Sequence, residues 1–451
     1  MTTYLSALAY IDTFLNTEKS PNFSQHARHY NLKRITELLE RLDNPHKKQR
    51  FVHIGGSKGK GSTATYIASI LTQAGYRTGL FTSPHFVSPR ERCCIDDVPI
   101  SQNDFAQCLI DIQPAITSIL KQQDRWGRLS FFELYTALSI YYFAQQEIDW
   151  SVVEVGLGGR LDATNIIQPE LSVITPISLE HQKVLGDTIA DIAHQKAGII
   201  KPRTPLVLGP QPKSADSIFE KIAKHHQVPI VRVPPDLKIK EHDVHGQLFD
   251  FGSYSNLSIS VPGPYQPINA ATAVTAVQNL KLNQKLSPLM IEKGLAKTKL
   301  MGRFQVVSLE NRPQSLVNQV ILDGAHTPDS IEALFQSITH LFNKPKLIVI
   351  VSLMQDKQIT SIGRYICQFA DLVITTQPFN NQRVTAAQML AENWKTFGTE
   401  IVSVPDVRKA FQISIESNAD LVCVTGSIYL VGEILKQLNI ANIDINLEPE
   451  N

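Results

Sequence analysis

The stretch from Gly55 to Ser62 reads GGSKGKGS; it follows a short apolar run and precedes residues with helical spacing. Glycines let backbone amides approach phosphate oxygens closely, and a helix start adds positive partial charge at the same point. Lys60 is placed to reach the β- and γ-phosphates of a nucleotide, and the Ser62 hydroxyl suits Mg²⁺. The spacing departs from the strict GxxxxGK[ST] pattern, because Gly61 separates Lys60 from Ser62. A plain strand-to-helix turn is the bland alternative, and two lysines among four glycines in this context argue against it. Three more polar residues end apolar runs: Ser83 in FTSPH, Glu154 in VEVGLGGRLDATN and His181 in ISLEH. If those runs are parallel strands, their ends share one edge. A hydroxyl, a carboxylate and an imidazole would then meet beside the phosphate loop and hold Mg²⁺ together with nucleotide oxygens and water. Singly, each has a bland reading: a turn serine, a solvated carboxylate and a structural histidine.

These motifs together resemble the folylpolyglutamate synthase and dihydrofolate synthase family of the Mur ligase superfamily. The family's phosphate loop has the form HVAGTNGKGS, so Ser57 and Lys58 stand where the pattern has Thr and Asn. EVGLGGRLDATN, ending at Asn165, matches without departure. The resemblance implies that Gly59, Lys60, Gly61 and Ser62 bind ATP, and that Ser83, Glu154 and His181 are the metal ligands. Residues 195–202, QKAGIIKP, resemble EKAGIIKPG, which implies that Lys196 is carbamylated and serves a second Mg²⁺; alone, Lys196 reads as a surface helix lysine. SFFE, residues 130–133, and LDA, residues 161–163, match pterin-binding positions. The implied substrate contacts are Ser130, Phe131, Phe132, Glu133, Leu161, Asp162 and Ala163, although core packing is a serious alternative for at least one phenylalanine. PYQPINAATA, residues 264–273, resembles GxHQxxNAAxA and puts Asn269 at the nucleotide. GRF at 302–304 resembles PGRFE, with Met301 in place of Pro, and puts Arg303 near phosphate. ILDGAHTP, residues 321–328, resembles ILDGAHNP, with Thr327 in place of Asn. It implies that Asp323 contacts nucleotide and that His326 lies beside the entering glutamate. TGSIYLVGE, residues 425–433, fits the family's closing strand-to-helix turn.

The elements needed to position these residues alternate along the chain. Helical spacing is read over residues 31–42, 62–74 and 131–145, and strands over 50–54, 78–82, 150–155, 171–177 and 206–209. Strands alternating with helices predict a mainly parallel α/β sheet. Residues 232–261, broken by Asp, His, Gly and Ser, read as antiparallel hairpins or an insertion. A second series predicts strands at 320–322, 347–353, 372–375 and 421–424, and helices at 328–338, 385–397 and 428–438. The expected architecture is a P-loop ATPase-type α/β domain over residues 1–301, then a smaller Rossmann-like α/β domain over residues 302–451. A hinge is expected near residues 299–303. The tail after residue 440 is acidic and reads as loose.

Composition narrows the rest. Lys plus Arg number 43 against 42 Asp plus Glu, so no charge imbalance points to nucleic acid or an anionic membrane. No apolar run is long enough to span a bilayer, and the first residues, MTTYL, lack the pattern of a signal peptide. Five cysteines without a CxxC pair read as reduced thiols. The expectation is a cytoplasmic, monomeric ATP- and Mg²⁺-dependent ligase, with two ions and no nucleic-acid or membrane partner. Its substrates would be a pterin or folate, L-glutamate and ATP. Residues cannot choose dihydropteroate over reduced folates as acceptor. The competing readings are a Mur-type ligase for another carboxylate and a nucleotide-binding switch without ligase chemistry.

Overall fold

The computed structural model describes residues 3–16, 31–121, 127–310, 315–378 and 381–438. The acidic tail beyond residue 440 lies outside them. The first sheet contains, in chain order, β1 (Phe51–Gly55), β2 (Thr78–Phe81), β3 (Cys93–Ile95), β4 (Val98–Pro99), β5 (Trp150–Glu154), β6 (Leu171–Ile174), β7 (Leu206–Leu208) and β8 (Ile230–Arg232). Their spatial order is β4-β3-β2-β5-β1-β6-β7-β8. From β2 to β8 every neighbour is parallel; β3 and β4 add an antiparallel edge. β1 and β5 lie at the centre and are buried along their whole length, which is why they read as continuous rather than alternating apolar runs.

Residues 237–259 form the antiparallel meander that their broken pattern predicts, as β9 (Leu237–Asp243), β10 (Gly246–Phe251) and β11 (Tyr254–Ile259). The turn between β9 and β10 is held by the Asp243 carboxylate, which accepts from the amides of His245 and Gly246. The last sheet contains β12 (Gln305–Ser308), β13 (Gln319–Leu322), β14 (Leu347–Val351), β15 (Leu372–Thr375), β16 (Glu400–Ser403) and β17 (Leu421–Thr425). Its order is β12-β13-β17-β14-β15-β16, parallel except at β12.

Several elements exceed the sequence expectation. The edge strands β12 and β16 have no buried residue, and their sequences QVVS and EIVS carry no apolar alternation. The helices Gln102–Leu120, Ile359–Ile366 and Val407–Ile415 were also not anticipated. The strand expected over 171–177 stops at Ile174, shortly before Pro176, which has no N–H for the ladder. The helix expected over 385–397 is Ala387–Trp394; the Thr385 amide before it donates to the Leu353 carbonyl. All five cysteines are free, as expected.

One apolar cluster runs from the first sheet (Val52, Ile54, Val152) through Phe304 into the last (Ile321, Val349, Trp394). A second bridge is Val87, which follows β2 yet packs with Leu322, Val424 and Leu430. Beside it the helix Ile428–Leu438 comes so close that a Cβ on Gly432 would lie 1.9 Å from the Phe86 carbonyl oxygen. Alanine normally gains about 1 kcal/mol over glycine inside a helix. Here the overlap with rigid backbone exceeds that gain. We expect Gly432→Ala to destabilise the protein by about 1–3 kcal/mol, read as a lower denaturant midpoint; an unchanged or higher midpoint would contradict this docking.

Candidate active site

Strand ends, not helices, set the position of the site. The carboxyl ends of β1, β2, β5 and β6 deliver the phosphate loop, Ser83, Glu154 and the segment up to His181. The carboxyl ends of β13, β14 and β17 deliver Asp323 to His326, Lys357 and Ser427. All of these line one cavity of about 720 Å³, within the usual range for a small-molecule site.

On its floor, Gly59 has φ +82° and precedes the helix Lys60–Gln73. A Cβ at Gly59 would sit 2.1 Å from the Asn269 side-chain oxygen, so glycine is required both by conformation and by the approach of Asn269. Asn269 Nδ2 donates to Gln266 Oε1 at 3.1 Å, and Gln266 Nε2 donates to Ser62 Oγ at 3.5 Å. The start of the helix Gln266–Gln278 is thereby tied to the phosphate loop. Gly61 faces Glu154, whose Oε2 accepts from the Ser83 amide at 3.0 Å. Burial raises the Glu154 pKa, opposed by Lys60, the Ser83 amide and Arg303. His181 has φ +47°; burial lowers its pKa to about 4, against the pull of Glu180, so its imidazole is neutral at neutral pH. Ser83, Glu154 and His181 thus share the cavity wall, and the neutral His181 imidazole has a lone pair to offer a cation. Among the described residues no three His, Cys, Asp or Glu side chains form a ready cage. An ion there would complete its shell from phosphate and water, as Mg²⁺ commonly does.

The opposite wall comes from the second series of elements. Asp323 is not a helix cap: Thr327 caps the helix Pro328–Phe342. The Asp323 carboxylate accepts from the Phe304 amide and from the Ala325 amide, each at 2.7 Å. Burial raises its pKa while Arg303 lowers it. Arg303 also lies over the Phe86 ring, 5.7 Å from its centroid. His326 Nδ1 is 2.8 Å from the Gly324 carbonyl; a carbonyl only accepts, so Nδ1 carries the proton and Nε2 keeps its lone pair. Burial, with Lys357 and Lys58 next, holds the His326 pKa well below the ordinary value.

The expected substrate contacts divide. Phe132 lines the cavity, with its ring against Gly156. Phe131 does not: it is buried in the core, 4.7 Å from the Tyr135 ring centroid. Consecutive helical residues point about 100° apart, so one wall cannot receive both. Ser130 and Glu133 line the cavity but also form the capping box of the helix Phe131–Gln145. Glu133 is further held by Arg34 Nε at 3.0 Å. Leu161, Asp162 and Ala163 line the cavity as well. Asp162 braces its own loop, accepting from Leu157 N at 2.8 Å and Thr164 N at 3.0 Å.

Residues 302–428 match the family model described as Mur ligase, glutamate ligase domain. Over 416 residues, 90% of this chain, the protein is 31% identical to the dihydrofolate synthase/folylpolyglutamate synthase of Bacillus subtilis, covering 94% of that protein. The chain belongs to the dihydrofolate synthase/folylpolyglutamate synthase family. Its fold agrees: the crystal structure of folylpolyglutamate synthase from Thermotoga maritima superposes with a TM-score of 0.82 at 32% identity, covering 98% of both chains. Escherichia coli FolC in complex with DHPP and ADP superposes with a TM-score of 0.80 at 27% identity, covering 98% of both chains. The protein is accordingly an ATP-dependent ligase.

Within this ligase family's site, one expected residue takes an unexpected place. Lys196 is not on the surface; it is 2% exposed and lies behind the cavity wall. Its ammonium donates to the Gly56 carbonyl at 2.7 Å and to Glu180 Oε1 at 2.8 Å. Burial lowers its pKa to about 8 despite Glu180. Burial alone would raise Glu180, but Lys196, Lys60, His181 and Lys58 together hold it far below the carboxylate range. Glu180 escaped the sequence reading although it adjoins His181. Arg34, Lys357 and Arg383 also line the cavity; no local pattern in the sequence marks any of them.

Because burial raises the Glu154 pKa, the folded chain holds that proton more tightly than the unfolded chain does. The ionised carboxylate therefore weakens the fold once pH rises above the ordinary carboxylate range. Glu154→Gln should melt at or above the wild-type temperature at pH 7, with the difference vanishing at acid pH, while turnover falls at least about 100-fold. A lower melting temperature at pH 7 would contradict the burial penalty; undiminished turnover would remove Glu154 from the chemistry.

Proposed function

We propose that this ligase joins L-glutamate to the carboxylate of a pteridine-bearing acceptor, dihydropteroate or a reduced folate, with ATP cleaved to ADP and phosphate. The observation that carries the proposal is that Lys60 and Arg303, delivered by different sheets, line one cavity with Glu154, His181 and His326. The binding of DHPP and ADP by the E. coli relative supports the same substrate classes here. Gly59, Gly61, Ser62 and Asn269 take the nucleotide with Lys60, and Asp323 fixes the backbone that presents Arg303. Phe132, Leu161, Asp162 and Ala163 form the pteridine wall, with Ser130 and Glu133 beside it.

In the first step an acceptor carboxylate oxygen attacks the γ-phosphorus, ADP leaves, and an acyl phosphate forms. Carboxylate alone is a poor acyl donor because oxide is a poor leaving group; phosphate is a good one. Lys60 and Arg303 neutralise charge that accumulates during transfer. In the second step the glutamate amine attacks the acyl carbon and phosphate departs. The amine must lose a proton, and His326 Nε2, neutral with its lone pair free, accepts it from a hydrogen-bonded position. Mg²⁺ held by Ser83, Glu154 and His181 would supply further charge neutralisation at the phosphates. The acyl phosphate must be kept from water, and the enclosure between two sheets does this. We place the boundary between the two domains at residues 301/302, and a single chain completes the cavity, so a monomer suffices for activity.

We further propose that Lys196 is carbamylated in the working enzyme. A pKa of about 8 leaves roughly a tenth of the amine neutral at pH 7, the form that reacts with CO₂. The carbamate would face Glu180 as a like charge, so it requires a cation between them, which fits a second Mg²⁺. Protein equilibrated with ¹³C-bicarbonate and Mg²⁺ should show a carbamate carbon resonance that Lys196→Gln lacks; no resonance in the wild type would refute the modification.

The deciding assay offers ATP, Mg²⁺ and labelled glutamate with dihydropteroate or tetrahydrofolate. Label is expected in a pteridine product with at least one acceptor, and Lys60→Met should reduce that rate at least about 1,000-fold. No labelled product with either acceptor, from folded protein that binds ATP, would overturn the folate assignment.

A further inference from the structure

Lys58 and Thr327 are both departures from the motifs the chain otherwise follows, and they meet. Lys58 Nζ donates to Thr327 Oγ1 at 3.0 Å, although 269 residues separate them. The Lys58 backbone is pinned, with the amides of Ser57 and Lys58 both donating to the Pro176 carbonyl. Its side chain therefore leaves a fixed point on the phosphate loop and crosses the cavity to the start of the helix Pro328–Phe342. An ammonium has three donors, and a neutral hydroxyl takes one. Among the described residues no carboxylate forms an ion pair with Lys58: Glu180 pairs with Lys196, and Asp356 with Lys357 and Arg383. The other charged neighbours are Lys60, Lys357 and Asp329. Lys58 is part-buried, with Glu180 and Asp329 near it but not bonded to it; two of its three donors stay open, so this arrangement is set for an anion that arrives as ligand.

We infer that Lys58, oriented by Thr327, binds a carboxylate of the entering amino acid. The inference rests on the glutamate-ligase reading above. The nucleotide phosphates have Lys60, Arg303 and the loop amides on the Glu154 side. Lys58 points instead to the wall that carries His326, the residue before Thr327. The amine and carboxylate of an amino acid sit on neighbouring atoms of one short molecule, so a group that takes the amine proton and a group that holds the carboxylate must be close together. His326 and the Lys58–Thr327 pair meet that requirement from two domains. Thr327 acts through Lys58 and is a positioning residue.

Steady-state kinetics of the full-length enzyme test this. Lys58→Met is expected to raise the glutamate KM about ten- to hundred-fold while the ATP KM moves less than about threefold. Lys58→Arg, which keeps the charge, should recover to within about fivefold, and Thr327→Val should raise the glutamate KM about two- to fivefold with kcat nearly unchanged. Calorimetric titration of glutamate into the ADP complex should show the same ranking without turnover. An unchanged glutamate KM in Lys58→Met, or an equal rise in the ATP KM, overturns the assignment while leaving the ligase reading intact. Absence of glutamate-dependent turnover in the wild type sinks that reading, and this inference falls with it.

Discussion

Parallel pairing makes every strand of a sheet end on the same side, and those ends leave backbone and side chains free to meet a ligand. In this protein two such edges face each other. β1, β2, β5 and β6 end on one wall of the cavity, and β13, β14 and β17 end on the other. The charged groups delivered there are buried, so each must be balanced by a neighbour or by a ligand. Glu180 is balanced by Lys196. Glu154 and Asp323, whose pKa values burial raises, are balanced only in part by Lys60 and Arg303. The unbalanced remainder at these two carboxylates calls for a cation or hydrogen-bond donors from outside the chain.

The same constraint explains the histidines. Burial, with nearby lysines adding to it, keeps both His181 and His326 neutral. A neutral imidazole can donate a lone pair to a metal or accept a proton from an amine; an imidazolium can do neither. Electrostatics and acid–base chemistry are two consequences of one buried arrangement.

The two halves are held together by more than the chain crossing near Gly302. Just after that crossing, the Asp323 carboxylate fixes the chain through the amides of Phe304 and Ala325. Phe86 and Val87 reach from the first sheet into the core of the second, and Arg303 lies over the Phe86 ring. Arg303 therefore sits on the seam itself, and a shift between the halves would move it directly.

Local sequence determined much of this. The loop from Gly55 to Ser62 and the runs ending in Glu154 and Leu322 announced their elements because spacing, glycine placement and apolar runs are properties of neighbouring residues. Motif order was sufficient for the family resemblance. Tertiary structure alone decided which of Phe131 and Phe132 faces the cavity, because helix rotation is set by what packs behind it. It also decided that Lys196 is buried against Glu180, that the Asp323 carboxylate holds the Phe304 amide, and that Lys58 meets Thr327. Edge strands such as β12 and β16 were illegible for the same reason: their pairing partners, not their own residues, make them strands. Burial and tertiary pairing join residues from different elements, 16 positions apart for Lys196 and Glu180 and 269 for Lys58 and Thr327, and no local pattern in the chain encodes which elements meet.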